Sequence, residues 1–327
     1  MSGGRTFTLA SRPSKLAVVQ TELVLTALQN QHPHIDLKTR YISSAGDKNQ
    51  TDALYLMGGK SVWTEELEAA LIDGSVDLVV HSLKDVPTTL PAGMEIGAIL
   101  EREDPVDGLV MKDSLPFKTL GDLPDGSVIG TSSLRRVAQL RRAHPRLKYI
   151  DVRGNIDTRL RKLDDPHGPY TAIILAKAGM LRMTMESRLT SDLSPPILYH
   201  AVGQGALAVE IRSSDSDARE LCKSLSHRET LWKCSAERAM LRELEGGCSV
   251  PVGVQSELVE GEDGVDVLTL VGCVTSVDGV AHVQEMLEER VSSLSEAEEI
   301  GKKLAKALLE NGASSILEGI KKLKDTR

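Results

Sequence analysis

Cationic and hydroxyl side chains recur in this sequence at one kind of place, directly after short apolar runs that read as strands. The run Thr6–Ala10 is followed by Ser11, Arg12, Pro13 and Ser14, and Asp77–His81 by Ser82, Leu83, Lys84 and Asp85. Ser127–Gly130 leads into Ser132, Ser133, Arg135 and Arg136. Leu147–Val152 leads into Arg153, Gly154 and Asn155, with Thr158 and Arg159 beyond, and Thr171–Ala176 into Lys177 and then Arg182. In open α/β sheets the carboxyl ends of the strands line the ligand crevice. Five loops would thus deliver cations, hydroxyls and helix N-termini to one cleft. An Arg in the first turn of a helix disfavours that helix by roughly 0.3–1 kcal/mol. Arg135 and Arg136 stand in such a turn all the same, and Arg153 precedes one. For one loop, surface pairing with nearby acids explains this; for five, an anionic ligand explains it better. The sequence has no G-x-x-x-x-G-K-[ST] and no G-x-G-x-x-G, so many carboxylates on a large ligand fit better than a nucleotide.

Two further residues carry chemistry with two readings each. Asp85 is a carboxylate in a cationic setting. It either stabilises a cation and moves a proton, or caps the turn before Val86 and Pro87. Cys248 sits in Glu245-Gly246-Gly247-Cys248-Ser249-Val250-Pro251, where two glycines end a long helix in a tight loop. It is either an accessible thiol or an ordinary buried one. The spacing shows no His or Asn partner for it. Cys234, within an amphipathic helix, and Cys273, within a strand, read as core residues.

The elements that must position these groups alternate. Helical spacing over Ser14–Asn30, Thr64–Asp73, Ser132–Ala143 and Asn155–Leu163 separates the strand-like runs, with further strands at Ile35–Tyr41 and Met94–Leu100. Such alternation predicts βαβ units and a mainly parallel sheet. Asp104, Pro105 and Gly108 read as a linker between two such blocks. The tail differs. A helix over Glu229–Leu244 is followed by strands at Val252–Glu260, Val267–Thr275 and Val280–Glu289, and by helices at Ser295–Glu310 and Ile316–Lys324. A chain of 327 residues needs two or three domains. Aromatics make up only 3%, so Leu, Val, Ile, Ala and Met must build the interior. A net charge of −8 argues against a nucleic-acid or membrane-surface binder. No Cys-x-x-Cys pair, signal peptide or membrane-length apolar run is present, so no metal is expected and a cytoplasmic location is.

These segments together resemble the porphobilinogen deaminase family. The resemblance rests on Ser11–Ser14, Val80-His81-Ser82-Leu83-Lys84-Asp85-Val86-Pro87-Thr88, Gly130-Thr131-Ser132-Ser133-Leu134-Arg135-Arg136, Val152 through Arg159, Ala201 through Leu207 and Leu244 through Pro251. It covers nearly the whole chain. It implies an α/β fold: two periplasmic-binding-protein-like (type II) domains around a cleft, plus a smaller α+β C-terminal domain with a three-stranded antiparallel sheet. The implied domains are 1–104 with 205–225, 105–204, and 226–327. It implies a transferase that joins four porphobilinogen molecules head to tail, with loss of ammonia, and hydrolyses the product to hydroxymethylbilane. It implies a dipyrromethane cofactor held through a thioether to Cys248, with Lys84, Asp85, Ser133, Arg135 and Arg136 binding the cofactor. Asp85 is the implied catalytic residue. Arg12, Ser14, Lys60, Arg153, Arg159 and Arg182 are the implied substrate-binding residues, and a monomer is the expected state. Where the family usually reads G-G-K-G-L-F-T-K-E-L, this chain has Gly58-Gly59-Lys60-Ser61-Val62-Trp63-Thr64-Glu65-Glu66-Leu67, with an acid in place of the second Lys. Residues Ser43–Lys60 read as a mobile loop able to cover the cleft. A non-catalytic solute sensor would explain the Arg-lined cleft but not Cys248. A cysteine-nucleophile enzyme would need a base near Cys248 that the sequence does not show.

Overall fold

Strand β1 (Thr6–Ser11) opens the chain in a computed structural model that describes residues 5–48, 63–113, 115–244, 250–261 and 263–325. Its side chains alternate between two apolar layers, Phe7 and Leu9 entering one and Ala10 the other. Helix α1 (Lys15–Gln31) starts where Ser14 Oγ accepts the Ala17 N–H at 3.4 Å, and it buries Val24 and Leu28 against that first layer. Then come β2 (Asp36–Tyr41), the single turn α2 (Ala45–Lys48), α3 (Glu65–Ile72), β3 (Leu78–Ser82) and β4 (Met94–Ile99).

The chain continues through β5 (Asp107–Met111), β6 (Val128–Gly130), α4 (Leu134–Ala143), β7 (Lys148–Ile150), α5 (Ile156–Asp164), β8 (Ala172–Ala176), α6 (Lys177–Arg182) and β9 (Ser191–Leu193). It then enters β10 (Leu207–Arg212), α7 (Ser216–Lys223) and α8 (Arg228–Glu243). A meander of β11 (Val252–Glu260), β12 (Asp266–Thr275) and β13 (His282–Val291) follows, closed by α9 (Leu294–Leu308) and α10 (Ser314–Asp325).

The residues form two compact units, Met1–Glu103 with Gly205–Leu231, and Asp104–Gln204 with Trp232–Arg327. The five-stranded sheet of the first has the order β2-β1-β3-β10-β4; β2, β1 and β3 run parallel, and β10 is antiparallel to both its neighbours. The second unit repeats the plan as β7-β6-β8-β5-β9, again with three parallel strands followed by two antiparallel pairings. In each sheet the order is second, first, third, then a strand reached by a crossing of the chain. This is the arrangement of type II periplasmic-binding-protein-like domains, and both are α/β. The second unit also carries the three-stranded antiparallel sheet β11-β12-β13, with α9 against its inner face through Leu304 and Leu308. Among the described residues, Phe7 and Tyr199 are the only aromatic ones in the fully buried apolar set, while Phe117, Tyr149, Tyr170 and Trp232 pack partly buried against the cores.

Two sequence expectations need correction, and two elements lie outside the sequence reading. The sheets are mixed rather than mainly parallel, because β4, β5, β9 and β10 all enter antiparallel pairings. Gly108 does not lie in a linker: it is inside β5, a buried strand. A Cβ there would come within 2.3 Å of Leu189 Cδ2, so the glycine that reads as a breaker is required by close packing. Strand β9 and helix α7 had no reading in the sequence, the first being only three residues long. No helix among the described residues is long and apolar enough to cross a membrane.

Candidate active site

In the first unit the carboxyl ends of β1 and β3 lie side by side, because these strands pair in parallel. The turn after β1 carries Arg12 and Ser14; the turn after β3 tightens into a short 3₁₀ segment, Leu83–Asp85. A pocket at this edge is lined by Arg12, Ser14, Ser82 and Asp85, and also by Gln20, Trp63 and His81. Helix α1 is tied to β3 across the pocket, as the Gln20 amide donates to Ser82 Oγ at 2.8 Å. Beneath it Thr21 donates to Ser11 Oγ at 2.6 Å. The two turns are therefore fixed to one another before any ligand arrives.

Arg12 is held from two sides. Its Nε lies 3.2 and 3.1 Å from the two carboxylate oxygens of Asp47, with a closer contact from Nη2. Its guanidinium sits over the Trp63 ring, 4.1 Å from the centroid. Asp47 also accepts from the Ser44 N–H at 3.1 Å and hydroxyl at 2.9 Å. Burial pushes the Asp47 carboxyl up, but hydrogen bonding and charge from Arg12, helped by Ser44, outweigh it and hold it below the ordinary carboxylate range. The Arg fork read in the sequence as a carboxylate binder thus already grips a carboxylate of its own chain.

The second unit presents three more strand ends at one edge, those of β6, β7 and β8. Ser133 caps α4, its Oγ accepting the Arg136 N–H at 3.4 Å. Arg135 and Arg136 follow and turn inward. Arg135 Nη2 is 2.8 Å from one oxygen of Asp107, and Arg136 Nη2 2.6 Å from the other. Arg135 also donates to the Tyr199 carbonyl at 2.5 Å and Arg136 to that of Ile174 at 2.7 Å. Gln204 adds a 2.9 Å bond to Asp107, which is 0% exposed. Burial would push this carboxyl up; the charges of both arginines, with hydrogen bonds from Arg136 and Gln204, outweigh it and hold the group far below the ordinary range. Arg153 and Arg159 flank the start of α5, where Arg159 Nε donates to the Gly154 carbonyl at 2.7 Å. Arg153 Nη1 is buried with no hydrogen-bond partner among the described residues. Arg182 closes the last turn of α6.

The predicted residues thus fall into two sets within their units: Arg12, Ser14, Lys84 and Asp85 at one sheet edge, and Ser133, Arg135, Arg136, Arg153 and Arg159 at the other. Cys248 and Lys60 lie outside the described residues, as does most of the predicted loop 43–60. Sequence reading missed Asp47, Gln20, His81 and Asp107. His81 stands inside the His-Ser-Leu-Lys-Asp run but reads as the last residue of a strand. Asp107 sits in the stretch read as a linker. Only the pairing of β5 with β8 brings it under α4.

The chain is similar to known proteins over nearly its whole length. The family model described as "Porphobilinogen deaminase, dipyromethane cofactor binding domain" matches residues 7–220, and that described as "Porphobilinogen deaminase, C-terminal domain" matches 231–310. A porphobilinogen deaminase of Yarrowia lipolytica is 46% identical over 317 residues, 95% of this chain and 92% of the relative. That of Saccharomyces cerevisiae is 45% identical over 322 residues, 97% of this chain and 98% of the relative. Among solved structures, the BenM effector binding domain with benzoate aligns at a TM-score of 0.42 and 15% identity, covering 68% of this chain and 91% of that one. The second substrate binding domain of a putative amino acid ABC transporter from Streptococcus pneumoniae aligns at 0.43 and 11%, covering 68% and 92%.

Proposed function

The chain belongs to the porphobilinogen deaminase family, and from that premise we propose that its reaction is served by Asp85 in the pocket at the carboxyl ends of β1 and β3. The enzyme is a transferase of tetrapyrrole biosynthesis. It condenses four porphobilinogen molecules with release of ammonia and yields hydroxymethylbilane, using a dipyrromethane cofactor.

The observation that carries the site reading is that Asp85 shares one pocket with Arg12 and Ser14. A guanidinium fork and a capping hydroxyl suit the acetate and propionate groups that every pyrrole in this reaction bears. When ammonia leaves porphobilinogen, the remaining methylene-pyrrole is electron-poor. A fixed carboxylate at Asp85 accepts hydrogen bonds from pyrrole N–H groups and offsets that charge. Lys84, on the same 3₁₀ segment, adds a cation for a carboxylate. When bound, the cofactor supplies the first nucleophilic pyrrole carbon. The residues fit a group of that kind: Arg153 keeps a buried donor without a hydrogen-bond partner among the described residues, and the pocket combines the Arg12 guanidinium with the Asp85 carboxylate. Cys248 is the attachment point in this reading, with Ser133 as a further cofactor ligand, Arg135 and Arg136 as cofactor ligands only through the N–H groups that Asp107 and the carbonyls leave over, and Lys60, Arg159 and Arg182 as further substrate ligands.

The division into domains 1–104 with 205–225, 105–204 and 226–327 belongs to the same reading. It is supported by apolar clusters that segregate almost completely along those boundaries. A monomeric, cytoplasmic enzyme without nucleic-acid partners is in keeping with the net charge of −8.

The function is tested by incubating purified protein with porphobilinogen and following ammonia and hydroxymethylbilane. Both accumulate in a ratio of four to one if the reading holds. Intact-mass spectrometry of the same sample gives a protein heavier by a dipyrromethane, and Cys248→Ser removes that increment and the activity with it. An unmodified, inactive protein that still binds carboxylates would instead be a solute sensor.

A further inference from the structure

Beside the apolar cluster of Ala10, Leu67, Leu71 and Val79, where α3 packs on the first sheet, three titratable side chains lie near one another. His81, on β3, and Glu210, on β10, sit diagonally across an antiparallel pairing in which Ala208 is opposite His81 and Glu210 opposite Val79. His81 Nε2 lies 3.0 Å from Glu210 Oε2. Glu210 is 0% exposed and His81 7%. The third group is Glu68 on α3, 6% exposed. Burial pushes the Glu68 carboxyl up; a hydrogen bond from Thr64 works against that, and the charge of Glu210 adds to it.

A carboxylate can only accept, so His81 carries its proton on Nε2 and leaves the lone pair on Nδ1. Among the described residues Nδ1 has no hydrogen-bond partner. His81 also lines the pocket that holds Arg12 and Asp85. A buried carboxylate orienting one ring nitrogen, on a histidine that lines a reaction pocket, is an arrangement that suits an imidazole to act as a general base.

We propose that the Glu210–His81 dyad is the proton acceptor of the condensation, taking the hydrogen displaced from the attacked pyrrole carbon and returning it to the departing ammonia. This rests on the reading of the pocket given above. The step balances as follows. Porphobilinogen arrives with its aminomethyl group as ammonium. The C–N bond breaks and its electron pair leaves with ammonia. The α-carbon of the partner ring forms the new C–C bond. Its C–H bond then breaks, the electron pair restoring the aromatic ring and the proton going to His81 Nδ1. His81 passes that proton to ammonia, which departs as ammonium. Glu210 stays ionised throughout and stabilises the transient imidazolium. Asp85, which stabilises the electron-poor ring, need not take the proton as well.

The charged groups near the dyad are Glu68 and its neighbour Glu65 from α3, Arg212 from β10, which donates to the Leu71 and Val76 carbonyls, and Asp85 and Arg12, which line the same pocket as His81. All of them remain in His81→Gln, whose amide can still donate to Glu210. The expected result for His81→Gln is a protein that carries its cofactor by intact mass and unfolds at the urea midpoint of the unsubstituted enzyme. Its kcat falls about 10²–10⁴-fold with KM changed little. In the unsubstituted enzyme, ¹⁵N NMR of labelled histidine gives His81 a protonated Nε2 and a bare Nδ1 at neutral pH. Turnover of His81→Gln within twofold of normal would overturn the proposal. So would a kcat loss accompanied by a failure to load cofactor, which marks a purely structural role, or a bare Nε2 in the spectrum. A parallel Asp85→Asn arm separates this from the underlying reading: an active Asp85→Asn removes the pocket as the reaction centre, whereas an inactive one with an active His81→Gln removes only the dyad.

Discussion

The two sheet edges solve the same electrostatic problem in opposite ways. Each places arginine in a turn after a parallel strand and gives it a carboxylate. At the first edge, Arg12 and Asp47 remain partly solvated, with side chains 22% and 17% exposed, on the rim of a pocket. At the second, Arg135, Arg136 and Asp107 are sealed inside, and the guanidinium groups also satisfy backbone carbonyls. A partly exposed ion pair contributes little to stability and is easily exchanged for a ligand carboxylate. A buried cluster is hard to open, because whichever charge loses its partner is left in a low dielectric. The same local sequence signal thus gives an exchangeable latch in one unit and a fixed brace in the other.

That contrast breaks most visibly if Asp107 proves dispensable. Asp107→Asn leaves two buried guanidinium groups without their counterion and should destabilise the fold by about 3–5 kcal/mol in urea unfolding. The folded carboxyl of Asp107 lies below its unfolded value, so its contribution is complete at neutral pH and is lost as pH falls through the carboxylate range and below. The unfolding midpoint of the unsubstituted protein should accordingly drop below about pH 4, and Asp107→Asn should show a shallower acid slope. At the first edge the expected effect moves from stability to binding. Arg12→Gln should raise KM for porphobilinogen about tenfold or more, the size of a lost charge-assisted hydrogen bond, while the urea midpoint shifts by less than about 1 kcal/mol. Smallest of all, Asp47→Asn should lower KM by a few-fold, because Arg12 no longer has to release a carboxylate before taking one. An unchanged KM would mean that the Arg12–Asp47 pair is not in competition with substrate.

How much of this was legible beforehand follows from the range of each interaction. Helix α1 announces itself locally, through Ser14 as cap and the spacing of its apolar residues, and so do the parallel strands. The pocket residues Arg12, Ser14 and Asp85 were legible because they belong to turns whose place at a sheet edge follows from the βα alternation alone. Strand β5 was not, since Asp104, Pro105 and Gly108 carry every local sign of a break, and only Leu189 packed over Gly108 explains the glycine. The inward fate of Arg135 and Arg136 was hidden for the same reason. It depends on Asp107, a non-local partner that β-pairing supplies. His81 was quoted within its motif and passed over, because a strand-end histidine gains meaning only when Glu210 arrives beside it from β10.

The central claim is that Asp85 works at the reacting centre and does not hold the fold together. Turnover and urea unfolding of Asp85→Ala, measured on one preparation whose cofactor content is verified by intact mass, address it most directly. The account predicts turnover lower by about 10²–10⁴-fold at an unchanged unfolding midpoint. Turnover within twofold of the unsubstituted enzyme, or a loss matched by a fallen midpoint, contradicts it.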